Sequence, residues 1–438
     1  MPAPTAGAPV RIGLLGCGNV GAALVQILRT DAAVITARTG LQLEVARVAV
    51  RNVAKERQVE LAPELLTHDA AAVVTDPAID VVVELIGGIE PARGLILSAL
   101  KSGKPVVTAN KELMANVGGE LVQVAMANSV DLLYEASVGG GIPLVRPLRE
   151  SLAGERVRRV IGIVNGTTNY ILTRMSEEGT GYAEALAEAQ SLGYAERDPT
   201  ADVEGFDAGA KAAILATIAF GVEVVSGDVY REGISGVTAH DIGVASRLGY
   251  VVKLLAIAEQ DPGQGPEPGP VAVRVHPAML PKDHPLASVR GSFNAVFVEG
   301  ESVGELMFYG RGAGGAPSAS AVLGDLIDAA HNLRGGGAGR PSGVRRAAIK
   351  PIDDLRSQYY LNIDVVDRPG VLAAVAQVFG RHDVSIRSME QAGLGDEARL
   401  IFITHTAREA DVQATVGGLH QLDVVKRVGS LLRVAGPE

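Results

Sequence analysis

The chain holds one cysteine, no tryptophan and only 4% aromatic residues among its 438 positions. A lone thiol, Cys17, closes no intrachain disulfide and supplies no multi-thiolate zinc site, so nothing here demands an oxidising compartment. Scarce aromatics leave the core to aliphatic and alanine side chains and offer few platforms on which bases stack. Basic residues are not in excess, since 40 Lys+Arg stand against 50 Asp+Glu for a formal charge of -10. The basic stripe that counterion release from DNA or RNA requires is therefore missing, and nucleic acid is not an expected partner. Long apolar runs are missing as well. Charges interrupt each of them before about 18 residues, so no membrane partner is expected. The start MPAPTAGAPV has neither the basic nor the apolar stretch of a signal peptide. The expected location is cytoplasmic.

What is present is ordinary globular composition, 47% hydrophobic, with 53 glycines for turns and close backbone approaches. At roughly 150 residues per domain, the length allows about three domains. From Val10 to about Ala136 the short runs VRIGLL, LEVARVAV, DVVVELI, PVVTA and VDLLYEA alternate with helical patterns. That alternation predicts an α/β fold with a doubly wound parallel sheet covered on both faces. From Val157 to about Gly310 the pattern turns mixed: a strand VRRVIGIV, several helices, then two alternating runs, VAVRVH and FNAVFVEG, expected as antiparallel strands. LRGGGAGRPS, Leu333 to Ser342, has the composition of a connector. The segments after it spell βαββαβ, a ferredoxin-like order.

The run from VRIGLL through Gly16, Cys17, Gly18, Asn19, Val20 and Gly21 into AALVQILR is GxGxxG in a strand-turn-helix setting. Gly16 permits the tight turn, Gly18 lets backbone amides approach a pyrophosphate, and Gly21 brings helix against strand. The helix N-terminus adds about half a positive charge. The bland alternative is a plain βα turn, against which the following βαβ pattern argues. The next strand leads into Arg51 and Asn52 instead of the acid that would hold a ribose 2'-hydroxyl. Arg51 suits a 2'-phosphate, which favours NADP and keeps NAD open, as does the alternative of a solvated arginine. Two further strand ends, Glu84 to Gly88 with Gly87 and Thr108 to Lys111, are expected at the cofactor, with Lys111 either pointing one cation toward the reacting centre or standing as a surface lysine at a helix start.

GYAERDPTADVEGFDAGAK, Gly193 to Lys211, gathers Glu196, Asp198, Asp202, Glu204 and Asp207. A solvated acidic loop is the plain reading, but the following helix, GFDAGAKAAILATIAFG, is apolar nearly all round and should be buried. Asp207 and Lys211 lie at i and i+4 on it and face one way; a buried pair of this kind is a functional-site candidate rather than a stability device. Carboxylates beside such a lysine suit a substrate ammonium, while the lysine serves an oxygen that becomes negative. YEASVGGGIPLV, from Tyr134, follows Glu135 with three bare glycines that turn sharply or present backbone to a ligand. VNGTTNYIL predicts a helix capped by Thr167 or Thr168.

GLLGCGNVG, TANKELMA, YEASVGGGIPLV, NGTTNYIL, LGYAERDPTADVEGFDAGAK and FYGRGAGGAPSASAVLGD stand in one order over nearly the whole chain, and together they resemble the homoserine dehydrogenases that carry a C-terminal ACT domain. The resemblance implies NAD(P)H-dependent reduction of L-aspartate 4-semialdehyde to L-homoserine, toward threonine, methionine and isoleucine. It implies catalytic roles for Lys211, Lys111 and Asp207, substrate binding by Glu196 and Asp202, and nucleotide contact by Gly16, Gly18, Asn19, Val20, Gly21, Arg51, Gly87, Thr108, Lys111 and Gly312. A monovalent cation, sodium, is implied on the Glu135 carboxylate and the backbone oxygens of Val138, Gly140 and Ile142. The implied domains are 1–147, completed by about 310–332, for the dinucleotide; 148–309 for substrate and dimerisation; a linker at 333–358; and an ACT domain at 359–438. In that last domain the turn of Asp367, Pro369 and Gly370 would take L-threonine as effector. A homodimer or homotetramer is implied. The short stretch before Val10 leaves no room for a fused kinase, so a monofunctional form is expected. The only thiol lies in the glycine loop, which argues against a thioester-forming aldehyde dehydrogenase. The alternatives are another NADP-dependent amino-acid dehydrogenase and an NADP-sensing protein without turnover.

Overall fold

Val10–Leu15 forms β1, the central strand of a parallel sheet, and four of its six residues are buried in succession after Arg11. Around it stand β2 (Leu43–Ala49), β3 (Leu66–Thr67), β4 (Val81–Glu84), β5 (Val106–Thr108) and β6 (Leu132–Leu133), in the order β3-β2-β1-β4-β5-β6. The chain reverses its direction of travel across the sheet between β1 and β4, and ligands of such sheets bind outside the carboxyl ends of the strands at that point. The covering helices are α1 (Asn19–Thr30), α2 (Ala32–Thr39), α3 (Ala70–Thr75), α4 (Ala92–Lys101) and α5 (Lys111–Ala127). The long segment between the glycine loop and β2 is explained by α2, an added helix that ends at Gly40 in the left-handed region. This computed structural model describes residues 8–261, 269–335, 352–354, 356–393 and 397–434.

The second sheet contains β7 (Val157–Ile163), β8 (Tyr230–Arg231), β9 (Tyr250–Gln260), β10 (Val271–Pro281), β11 (Phe293–Gly300) and β12 (Gly304–Arg311), in the order β12-β11-β7-β9-β10-β8. All neighbours are antiparallel except β10 and β8. It packs with α6 (Gly166–Glu178), α7 (Tyr182–Ser191), α8 (Thr200–Val203), α9 (Phe206–Phe220) and α10 (Ala239–Arg247). In α9 every residue from Asp207 to Ala216 is buried, because small alanines let it lie in the middle of the core. Each fully buried Ile or Leu there contributes about 1.5–3 kcal/mol. Finally α11 (Gly315–Leu333) returns to the first sheet, where Ala319, Val322 and Leu326 share a core with Ile12, Leu14 and Leu24.

The described residues fall into two compact units, one within Met1–Ser342 and one within Gly343–Glu438. The second unit runs β13 (Arg356–Val366), α12 (Val371–Arg381), β14 (Ile386–Gly393), β15 (Glu397–Thr404), β16 (Ala407–Arg408), α13 (Glu409–His420) and β17 (Val425–Val434). Its main strands pair as β14-β15-β13-β17, the ferredoxin-like arrangement. Most of the expected connector, residues 336–351 and 355, lies outside the described residues. Among the described residues no single helix is long and apolar enough to cross a membrane.

Candidate active site

At the carboxyl ends of β1, β2 and β4 opens a cleft of about 620 Å³ lined by Gly16, Cys17, Gly18, Asn19, Arg51, Asn52, Lys55, Arg57, His68, Leu85 and Ile86. Gly16 adopts φ +95, and a Cβ there would stand 2.6 Å from the Leu85 carbonyl oxygen, so no other residue makes this turn. A Cβ on Gly21 would lie 2.6 Å from the Gly16 carbonyl oxygen, which is why helix and strand close so tightly. Gly18 has open space where a side chain would go, and it lines the cleft together with Asn19, the first residue of α1, where a helix leaves its first amides unpaired. The described lining holds Arg51, Lys55 and Arg57 against a single acid, Glu56, a surface suited to phosphates. Burial pushes the Cys17 thiol up, and Arg57 offsets part of that.

On the other side of β1, the fully buried Glu84 organises the strand ends. Its carboxylate accepts from the amides of Ile86 (2.7 Å) and Gly87 (3.0 Å) and from the Thr108 hydroxyl (2.6 Å). Thr108 is buried, and its hydroxyl also accepts from the Asn110 amide (3.0 Å). Its side chain is thus turned inward and shapes the loop, so that any contact with a nucleotide falls to its backbone. Asn110 in turn donates to the Gly88 carbonyl (2.6 Å) and caps α5, which sets Lys111 at the first position of that helix.

Lys111 reaches across to the second sheet's helices. Its ammonium forms an ion pair with Oδ1 of Asp207, while Oδ2 of the same carboxylate accepts from Lys211 Nζ at 2.7 Å. Lys211 also donates to the Val164 carbonyl at 2.7 Å, at the end of β7. Asp207 and Lys211 are buried, whereas the Lys111 side chain remains 46% exposed. Burial alone would push the Asp207 carboxyl up, but Lys211 and Lys111 overcome it and hold the group well below the usual carboxylate range. Burial lowers the Lys111 ammonium, and Asp207, with Asp202 and Glu112, more than restores it, so its net shift is upward.

Asn165 connects this triad to the acidic loop. Its amide nitrogen donates to Asp207 Oδ2 (2.8 Å) and to Asp202 Oδ1 (2.7 Å), while its oxygen accepts from the Thr168 amide (2.8 Å) and so caps α6. The cap is therefore Asn165, not Thr167 or Thr168, because α6 begins at Gly166 and an Asn side chain reaches the third amide. Thr167 instead donates to the Tyr194 carbonyl (2.6 Å) and to Asp202 (3.2 Å). The structure thus gathers Lys111, Asp202, Asp207 and Lys211. Glu196 is exposed on the loop, and among the described residues its carboxylate has no partner; only its backbone oxygen accepts, from Gln190. Sequence reasoning missed Asn165 as a connector and Glu84 as the organiser of two loops. An Asn just before a helix in a polar turn was the available signal for the first.

The glycine stretch after β6 packs against the loop entering α11. A Cβ on Gly140 would stand 2.5 Å from the Gly312 carbonyl oxygen, and one on Gly315 3.1 Å from the Asn19 carbonyl oxygen, so Gly312 lies between the cation candidate loop and the start of α1. Buried Glu135 points both carboxylate oxygens at the amides of Leu144, Val145 and Arg146, at 2.5–2.8 Å. The carboxylate expected at the cation thus anchors three amides at a chain turn, beside the backbone oxygens expected with it. The carbonyl oxygens of Val138, Gly140 and Ile142 carry no hydrogen bond among the described residues. Burial lifts the neighbouring Asp325 carboxyl to about 7, against the Glu135 amide and Arg146 that both lower it.

Comparison with known proteins agrees over the whole length. Models for "Homoserine dehydrogenase" and "Homoserine dehydrogenase, NAD binding domain" match residues 143–327 and 16–135, and an ACT domain model matches 359–424. The homoserine dehydrogenase of Mycobacterium tuberculosis is 50% identical, covering 98% of each chain. That of Corynebacterium glutamicum is 50% identical over 98% of this chain and 96% of its own. The crystal structure of a homoserine dehydrogenase from Thiobacillus denitrificans is 41% identical, covers 98% of both chains and superposes with a TM-score of 0.71. A hyperthermophilic archaeal homoserine dehydrogenase in complex with NADPH matches at 29% identity, over 74% of this chain and 98% of its own, with a TM-score of 0.62.

Proposed function

The chain belongs to the homoserine dehydrogenase family, oxidoreductases acting on CH–OH, and on that premise we propose that it reduces L-aspartate 4-semialdehyde to L-homoserine with NADPH, NAD serving less well. The observation that carries this reading is the Lys111–Asp207–Lys211 bridge, in which a buried carboxylate ties the edge of the nucleotide-binding sheet to the most buried helix of the neighbouring layer. When bound, the nicotinamide supplies the hydride. The residues of this chain do the rest.

An ammonium has three N–H donors; two of those on Lys211 are held by Asp207 and Val164. The third is left for the aldehyde oxygen, which Lys211 stabilises and protonates as negative charge develops. Asp207 keeps the lysine charged and fixes its rotamer, and Lys111 offers a second cation to the same oxygen or to the substrate carboxylate. Asp202, held by Asn165 and Thr167, and Glu196 bind the substrate ammonium. Gly16, Gly18, Asn19, Val20, Gly21, Gly87, the backbone of Thr108 and Gly312 hold the dinucleotide, and the cationic lining at Arg51 supports a 2'-phosphate. The Glu135 carboxylate and the carbonyl oxygens of Val138, Gly140 and Ile142 would hold a sodium ion whose role is to brace this loop against Gly312. In the ACT domain, the exposed turn Asp367 to Gly370, where Gly370 has φ +89 before α12, would receive L-threonine. Exposed Met279 and Tyr309 on the second sheet support a homodimer or homotetramer, and we place the enzyme in the cytoplasm.

The test is turnover of L-homoserine by the purified chain, followed by the absorbance of reduced nicotinamide with NADP and with NAD, and with L-threonine added. Oxidation faster with NADP and slowed by threonine is the expected result. No turnover in either direction by folded protein that binds nucleotide would overturn the assignment.

A further inference from the structure

A second cavity, about 320 Å³, lies between α6, α10, β9 and the segment that joins β10 to β11, away from the lysine bridge. Its lining includes Thr173, Ser176, Ser246, Lys253, Lys282 and Arg290. Lys253 stands on β9 in the middle of the sheet and is 4% exposed. Its ammonium donates to the Asn169 side-chain oxygen (2.9 Å) and the Val289 carbonyl (2.6 Å), both neutral. No carboxylate lies within ion-pair distance of Lys253 among the described residues. The one acid lining the cavity, Glu177, is already paired with Arg290. Lys282 adds a further cation and is held at the rim by the Ser246 carbonyl (2.9 Å) and hydroxyl (3.2 Å). The lining therefore carries an uncompensated positive charge, half of it on a side chain buried where charges are normally paired.

We propose that this cavity binds a small oxyanion, a carboxylate or phosphoryl group held by Lys253 and Lys282. Its volume falls at the small end of metabolite pockets. Burial pulls the Lys253 ammonium down to about 8, with Glu177 opposing and Arg290 adding to that fall, so the group is charged at neutral pH and stabilised by a counter-ion. The site also has a line to the active centre. Asn169, which accepts from Lys253, donates to the carbonyls of Gly291 (2.9 Å) and Phe293 (3.1 Å). It sits one turn along α6 from Asn165, which holds both Asp202 and Asp207. An anion that repositions Lys253 acts on the helix that carries the substrate carboxylates' anchor.

The experiment uses the full chain with NADP at saturation, so that the nucleotide cleft takes up no added anion. Thermal unfolding is followed while inorganic phosphate, and separately L-malate, is titrated at constant ionic strength. The wild type is expected to show a saturable rise in Tm with at least one of the two, and the anion that saturates first names the class. Lys253→Met keeps the packed stem and removes the charge, and should abolish the rise. Lys282→Met, at the exposed rim, should weaken binding about tenfold, the effect of losing one hydrogen bond to a charged group, and it keeps the test valid should the buried variant fail to fold. A flat response of the wild type to both anions, or an undiminished response in Lys282→Met and in folded Lys253→Met, would overturn the proposal.

Discussion

Replacing Asp207 with asparagine removes one negative charge from between two ammonium groups and little else. Lys211 is 8% exposed, and among the described residues Asp207 is its only carboxylate partner. Deleting one member of a buried pair leaves the other charge uncompensated, at about 3–5 kcal/mol. The amide oxygen of the variant still accepts from Lys211, and Lys111 can return to water, so the loss should sit near the low end, about 3 kcal/mol at neutral pH. Its pH dependence follows from the depressed carboxyl. Stability drawn from a group whose folded pKa lies below its unfolded value, near 4, is complete above that value and is lost as the pH falls through the folded one. Urea unfolding of both proteins should show a gap that is constant from about pH 5 to 8 and narrows below about pH 4. Turnover of Asp207→Asn should drop on the order of 100-fold, since Lys211 then loses its charge partner and orientation. A gap below about 1 kcal/mol at pH 7, or one that widens on acidification, would refute the bridge as drawn.

Other substitutions probe separate parts of the account. Asn165→Ala removes a helix cap and the link between Asp202 and Asp207; it should cost about 1 kcal/mol in urea unfolding, and it should raise KM for the semialdehyde more than KM for the nucleotide. Arg51→Ala should weaken NADP about tenfold, a charge-assisted hydrogen bond, and leave NAD unchanged in initial-rate measurements. Gly16→Ala meets the Leu85 carbonyl in a left-handed turn, so nucleotide binding by fluorescence titration should vanish even where the chain folds. Asp325, whose carboxyl is lifted to about 7, makes folding less favourable as pH rises from about 4 toward 7. Asp325→Asn should therefore show a flatter pH profile of the urea midpoint across that interval.

The parallel sheet was legible because its strands are continuous Val/Ile runs set between amphipathic helices, and the glycine loop because Gly16 and Gly21 obey steric limits that leave no other residue. The helix α9 was legible too: its only charges are Asp207 and Lys211, so a buried pair followed from periodicity. Less could be read in the second sheet, where one strand and two alternating runs grew into six strands. The run YVVKLLAIAEQ is buried from Val252 to Ala258 on both faces and lacks alternation, so a period-2 signal never arises. The short α2 hid inside the long segment before β2 for want of a strong apolar stripe. In the site, residue types marked Lys111 and Asp202 as candidates, but only folding brings Lys111 onto the distant Asp207 carboxylate. For Thr108 and Glu135 the residue type marked a polar position beside a glycine loop, but not the internal bonds that hold each in place, to a buried carboxylate in one case and to backbone amides in the other.

The central claim is that Lys211, held by Asp207, serves the oxygen of the reacting carbonyl. Its most direct test compares kcat for L-homoserine in the wild type and Lys211→Ala, with nucleotide affinity measured separately for each. The account predicts a fall in kcat of about 100-fold or more with NADP bound as tightly as before. Unchanged kcat in the folded variant would contradict it.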